Sequence, residues 1–179
     1  MINVSGIFTT PPPTYKTELQ KMAYAALQAL AIPFERVDTG EAITMEDCLA
    51  INDKLAMKTV KTLLLCNRQQ TAFYLFITTA GKPFITRDFG AALGVARLSF
   101  ASAELLWQKL GVSVGAATIF GVLQDAANEV KVVIDAAVLE EDWFGCSDGT
   151  TTGYMKVSTA SITGQFLVYA KHPATVIAI

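Results

Sequence analysis

Thr59-Val60-Lys61-Thr62-Leu63-Leu64-Leu65-Cys66 and Ala72-Phe73-Tyr74-Leu75-Phe76-Ile77-Thr78 are two apolar runs joined by the polar stretch Asn67-Arg68-Gln69-Gln70-Thr71. Their length and β-branched and aromatic content predict an antiparallel hairpin of two strands. Working outward, Pro11-Pro12-Pro13 stops just before a helix capped by Thr14, with Leu19, Met22, Ala23, Ala26, Leu27 and Leu30 at helical spacing as far as Ala31. Pro33 ends it, and Phe34 to Asp38 alternates like a strand. Thr44 with Asp47 has the spacing of a cap for a second helix reaching about Leu55.

Downstream, Thr86 to Leu93 and Ser102 to Leu110 predict short helices stopped by Gly94 and Gly111, with Ser99-Phe100 as a short strand between them. Ile119 to Gln124, Val130 to Asp135, Tyr154 to Val157 and Ala174 to Ile179 read as strands, and Thr159 to Lys171 as a helix. Gly115-Ala116-Ala117-Thr118 and Gly145 to Gly153 read as loops, the second polar and built of small residues. Hairpins mixed with helices, without regular βαβ alternation, place the chain in the α+β class or on a mixed sheet. The two tryptophans, Trp107 and Trp143, are expected to be buried.

At 179 residues, with 52% hydrophobic and 17% charged residues, the expectation is one domain spanning 1–179 with a sizeable core. No apolar run approaches the ~18 residues of a membrane helix, and the N-terminus lacks the basic and apolar regions of a signal peptide. Cys48, Cys66 and Cys146 have no metal-like spacing, which fits reduced thiols in a cytoplasmic protein. Charge is uneven. From Lys54 to Arg97 there are seven basic residues and one acidic one, a net +6 in a chain whose total is −2. Such asymmetry implies a surface that meets an anion, and the mildly acidic whole excludes a long nucleic-acid footprint.

Catalytic sets are narrowed by counting. The single histidine, His172, stands beside Pro173 and reads as a surface residue. Neither HExxH, a cysteine cluster, a Walker loop nor GxGxxG occurs, so no metal and no cofactor is expected. Three segments remain. Lys58 and Lys61 precede an apolar strand, either as a solvated edge or as cations over a cleft. The small residues Gly115, Ala116, Ala117 and Thr118 leave backbone N–H groups approachable, as an oxyanion site or as a plain turn. The hydroxyls and glycines from Gly145 to Gly153 make either a hydrogen-bonding wall or a solvent loop, and Cys146 has no activator that would make it a nucleophile.

Five segments recur in order with family-like spacing. They are Thr44-Met45-Glu46-Asp47-Cys48, Lys61 to Arg68, Gly81-Lys82-Pro83-Phe84, Leu93 to Ser102 and Gly115 to Gly121. In them, from about Tyr15 to the end, the chain resembles the YbaK-like, prolyl-tRNA-synthetase-associated editing domain family, in particular its free-standing, PrdX-like prolyl-tRNA deacylases. The resemblance implies a mixed, mainly antiparallel sheet wrapped by helices. It implies hydrolysis of the ester of a wrongly attached small amino acid, typically alanine, on proline tRNA. It also implies the aminoacyl-tRNA acceptor end as partner, with prolyl-tRNA synthetase as a further candidate.

By that resemblance Lys61 holds the substrate and does not attack it. Gly115 and Thr118 belong to the loop that orients the carbonyl. Thr62, Ala116, Ala117, Ser147, Asp148, Lys58 and Arg97 are the expected substrate contacts. Three departures stand out. Ser147-Asp148 replaces a His-Pro pair common in the family, Thr62 stands where asparagine is frequent, and the Gly115 loop lacks a proline. A catalytically weak aminoacyl-tRNA-binding module, or a sensor of the same fold, is the alternative.

Overall fold

The computed structural model describes residues 2–42, 44 and 46–179. Met1, Ile43 and Met45 lie outside them, so the Thr44–Cys48 segment is seen without Met45. The strands among the described residues are β1 (Phe34–Asp38), β2 (Val60–Cys66), β3 (Phe73–Thr79), β4 (Ser99–Phe100), β5 (Val130–Asp135), β6 (Trp143–Ser147), β7 (Gly153–Ser158) and β8 (Thr175–Ile177). They form a five-stranded sheet in the order β4-β2-β3-β5-β8 and a three-stranded sheet in the order β1-β7-β6. The β2–β3 hairpin pairs from Val60 opposite Thr79 to Cys66 opposite Phe73. Only the β3–β5 and β5–β8 pairings are parallel, so the architecture is mixed and mainly antiparallel, α+β, as expected.

The period of two divides β2 between two cores. Leu64 and Cys66 face the main core with Leu75, Ile77, Val132 and Ile134, and α1 (Glu18–Ala29) packs over it. Leu65 faces the opposite side with Phe76, Val133 and Phe89 of α3 (Thr86–Leu93). Each ring or aliphatic chain fully removed from water contributes roughly 1.5–3 kcal/mol, so the hairpin is anchored on both faces. A third cluster sits beneath α2 (Cys48–Leu55), where Ile51 and Leu55 meet Val37 and Tyr154. No helix among the described residues is long and apolar enough to cross a membrane.

Helix ends follow local chemistry. Thr17, and not Thr14, caps α1, its hydroxyl accepting the Gln20 N–H at 3.0 Å. Ser102 caps α4 (Ala103–Leu110) in the same way, and Gly94 and Gly111 end α3 and α4 as expected. The Thr44–Asp47 pair is reciprocal, each N–H reaching the other's side-chain oxygen at 3.1 and 3.3 Å, but the helix begins only at Cys48.

Several expectations are corrected. Ile119–Gln124 is a 3₁₀-helix and not a strand; a short apolar run does not distinguish the two, and this one packs against α1 and α4. The presumed loop from Gly145 begins inside a strand, because Trp143–Ser147 pairs with β7. Its residues are small because they are crowded, not because they are solvated. A Cβ on Gly145 would lie 2.7 Å from the Lys58 carbonyl oxygen, where a parallel bridge joins Gly145 to Thr59. The short helix α5 (Ala136–Leu139) was not foreseen.

The C-terminal helix contains a π-helical turn (Ile162–Phe166) between α6 (Thr159–Ser161) and α7 (Leu167–Tyr169). Trp107 and Trp143 are 61% and 48% exposed, contrary to expectation. His172 is buried, with Nε2 2.8 Å from Asp125 Oδ2, a carboxylate that also takes the Glu129 and Val130 N–H groups. Gly145→Ala is therefore expected to cost about 1–3 kcal/mol by overpacking the bridge between the sheets, measurable by denaturant unfolding.

Candidate functional site

The short β4 decides where the cavity opens. It pairs with β2 only at Leu65 and Cys66, and the Ala101 N–H extends the contact to the Leu64 carbonyl at 2.9 Å. Toward its start, β2 is next held on that side by the bridge between Thr59 and Gly145. Between these two points lies a cavity of about 380 Å³. Lys61, Thr62, Gly115, Ala117 and Ser147, all singled out in the sequence, line it together. Lys61 is the one charged side chain among the described lining residues.

Lys61 is half-buried, and its Nζ donates to the Lys82 carbonyl. Lys82 in turn sends its own Nζ to Asp135 Oδ2 at 2.6 Å, and the Thr78 hydroxyl reaches the same oxygen at 2.7 Å. Thr78 is the cross-strand partner of Lys61. Burial alone would raise the Asp135 carboxyl. Hydrogen bonds from Lys82, Thr78 and the Ala137 N–H outweigh it and hold the group below the ordinary carboxylate range. A buried anion thus fixes the β3–α3 turn, and the turn's carbonyl fixes the Lys61 ammonium.

The loop from Gly115 lines the same cavity. Gly115 has φ 88°, a left-handed conformation that glycine adopts without strain. The Ala116 N–H is spent on the Ser113 carbonyl at 3.1 Å. Among the described residues no protein acceptor takes the Gly115 or Ala117 N–H. Ala116 lies behind the wall, fully buried, its carbonyl accepting from the Ser147 hydroxyl at 3.2 Å. Thr118 is also fully buried, its hydroxyl donating to the Ser147 carbonyl at 2.7 Å. Ser147 and Thr118 therefore lock this loop to β6, and the Thr118 hydroxyl is not presented to the cavity.

Besides Ala116, three further expected contacts do not line this cavity. Asp148 is buried elsewhere, accepting from Gln20, Tyr24 and Thr150. Lys58 points outward to Glu141 at 2.5 Å. Arg97 is exposed in the turn before β4, at φ 58°. Conversely, Cys48, Thr59, Tyr154 and Phe100 line the cavity without having been singled out as site residues, and Cys146 joins them. Cys48 and Phe100 lie in segments that carry the resemblance, and long-range pairing of β6 and β7 brings Cys146 and Tyr154 into place.

Burial pushes both the Cys48 and Cys146 thiols up, and the Asp148 charge adds to the effect on Cys146. Burial likewise raises the Tyr154 phenol, which donates to the Ala42 carbonyl at 2.7 Å. These groups are neutral at physiological pH, so the walls offer neither thiolate nor phenolate. Among the described residues no group of histidine, cysteine and carboxylate side chains is arranged to hold a metal.

Asp135→Ala is expected to lose about 3 kcal/mol at pH 7, because it removes the buried carboxylate that pairs with Lys82 and accepts the Thr78 hydroxyl, leaving Lys82 only the Ile179 oxygen. The depressed carboxyl stabilises the fold above its unfolded pKa of ~3.9, and that stabilisation fades as pH falls through the lower folded value. Unfolding of parent and variant across pH 2–7 should therefore show the gap narrowing only below about pH 4.

Comparison with known proteins places this geometry. Residues 39–163 match the model of the aminoacyl-tRNA editing domain. A prolyl-tRNA editing protein, ProX, of Acetoanaerobium sticklandii is 28% identical over 118 residues, 66% of this chain and 72% of that protein. Among solved structures, a scaffold from a study of computational epitope backbone grafting superposes with a TM-score of 0.67 at 12% identity, covering 91% of this chain and 98% of its own. A candidate trans-editing enzyme for prolyl-tRNA synthetase superposes with a TM-score of 0.63 at 13% identity, covering 92% and 99%. These two likenesses establish the shared fold. The family match extends over most of the chain and contains the whole cavity wall, so the chain belongs to the aminoacyl-tRNA editing domain family and is an aminoacyl-tRNA deacylase, a hydrolase of the aminoacyl ester.

Proposed function

We propose that the chain edits mischarged proline tRNA in trans, as a single domain over residues 1–179, removing a small amino acid and most simply alanine. The observation that carries this reading is one cavity lined by Lys61, the one charged side chain among its described lining residues, and by Gly115 and Ala117, whose N–H groups meet no protein acceptor among the described residues. The named relative, a prolyl-tRNA editing protein, supports proline tRNA as the carrier. Prolyl-tRNA synthetase is then the enzyme whose errors it corrects. A pocket sized for proline rejects a side chain smaller by one or two methylenes only weakly, by ~1–3 kcal/mol, so a second site must supply the rest.

In this reading Lys61 holds an anionic or carbonyl oxygen of the acceptor end. The Gly115 and Ala117 amides receive the charge that develops on the carbonyl oxygen. Water adds to the ester carbon, the bond to the ribose oxygen breaks, and that oxygen leaves with the proton. The products are the free amino acid and a tRNA with its terminal hydroxyl restored. The thiols and the phenol that line the cavity are held neutral, which fits attack by water, helped by the neighbouring ribose hydroxyl.

The test is a panel of mischarged tRNAs incubated with purified protein. Alanyl-tRNA of the proline type should be hydrolysed and correctly charged prolyl-tRNA spared. Lys61→Ala should lower kcat/KM by roughly 100-fold, the scale of losing one charge-stabilising donor. Hydrolysis by that variant at the parent rate would remove Lys61 from the mechanism. Tight tRNA binding with no turnover on any member of the panel would instead support a binding module.

A further inference from the structure

Phe100 is 58% exposed, and it lines the cavity. A single exposed aromatic is ordinary on a protein surface. This one is held in place at a cavity mouth. Its backbone pairs with Leu65, and the following N–H, that of Ala101, is bonded to the Leu64 carbonyl. Its ring is met edge-on by Phe84, with centroids 5.5 Å apart and planes at 61°. Phe84 itself is braced by Phe76 and Phe89 of the second core. A flat apolar surface is thus preset beside the cavity and left open to solvent. Val114, also 58% exposed, lines the same cavity next to Gly115.

The occupant follows from what must lie at this mouth. If the ester sits between Lys61 and the Gly115 and Ala117 amides, the group bearing the ester oxygen emerges beside Phe100 and Val114. In an aminoacyl-tRNA that group is the terminal nucleoside, whose base is the aromatic surface nearest the ester. Charge agrees with this placement. Exposed Arg97 precedes Phe100 by three residues and ends the segment carrying a net +6, so this stretch of chain offers a cation outside the cavity for the terminal nucleotide's phosphate.

We propose that Phe100 is the stacking platform for the base of the terminal nucleoside, with Val114 closing the mouth on the other side. This rests on reading the cavity as the aminoacyl-ester site. Stacking of a base on an aromatic side chain tolerates any base, so the platform adds affinity and register and leaves choice of tRNA to other contacts.

The experiment is a double-mutant cycle read as binding, which needs no turnover. The probe is an RNA minihelix carrying alanine through a hydrolysis-resistant 3′-amide, with and without the terminal base. Removing the base should weaken binding to the parent about tenfold, and Phe100→Ala should weaken binding of the intact probe by a similar factor. The two changes together should cost no more than either alone, and Phe100→Trp should bind at least as tightly as the parent. Losses that multiply, or full affinity of Phe100→Ala for the intact probe, would overturn the platform. Failure of the parent to hydrolyse any mischarged tRNA would count against the proposed function and would leave this binding cycle readable.

Discussion

The parallel bridge between Thr59 and Gly145 is the constraint on which the rest of the site depends. It ties the three-stranded sheet to the start of β2, and it works only because residue 145 has no side chain to collide with the Lys58 carbonyl. Asn52 on α2 reinforces it, its side-chain oxygen accepting the Thr59 N–H at 3.0 Å. At the far end of β2 the two residues of β4 provide the other clamp. A strand held at both ends but uncovered between them has backbone to offer a ligand without opening the fold. The cavity is therefore a consequence of unequal strand lengths, and its position is fixed before any functional side chain is considered.

Onto this frame the charge is added economically. Lys61 is oriented by a carbonyl, that carbonyl belongs to Lys82, and Lys82 is held by a buried carboxylate on β5. An ammonium on a four-carbon stem carries large rotamer entropy, so a fixed acceptor restricts where its charge is found. The opposite wall uses main-chain groups, positioned through the Ser147 and Thr118 side chains. One wall thus offers a mobile group made rigid, and the other offers groups that were rigid from the start. Both are forms of preorganisation, in which little has to move as charge develops.

Much of this was legible in the sequence because it is local. The hairpin, the helix stops at Gly94 and Gly111, and the Ser99-Phe100 strand are written in residue type and spacing. Lys61, Thr62, Gly115, Ala117 and Ser147 were singled out by segment and do share one cavity. What was missed depends on distant partners. Gly145 to Ser147 looked like solvent loop because small residues serve crowding and flexibility alike, and only the approach of Lys58 separates the two. Asp148 stood as an expected substrate contact and His172 as a surface residue. Each is instead buried against side chains more than forty positions away, Tyr24 and Asp125 respectively.

Those distant pairings bear on the chemistry. Ser147 is bound on both sides, its hydroxyl donating to the Ala116 carbonyl and accepting from the Gly149 N–H at 3.1 Å. It serves the loop's architecture. The chain's one histidine has both ring nitrogens engaged, by the Ala170 carbonyl and by Asp125, and it is not among the residues lining the cavity. With thiols and phenol held neutral by burial, the described cavity walls present no imidazole, thiolate or phenolate. In the proposed reaction, proton transfer then falls to water and to the substrate's own ribose hydroxyl. A site of this kind discriminates by shape and by where it places an ester relative to two amides, so its selectivity resides in the walls that hold the substrate still.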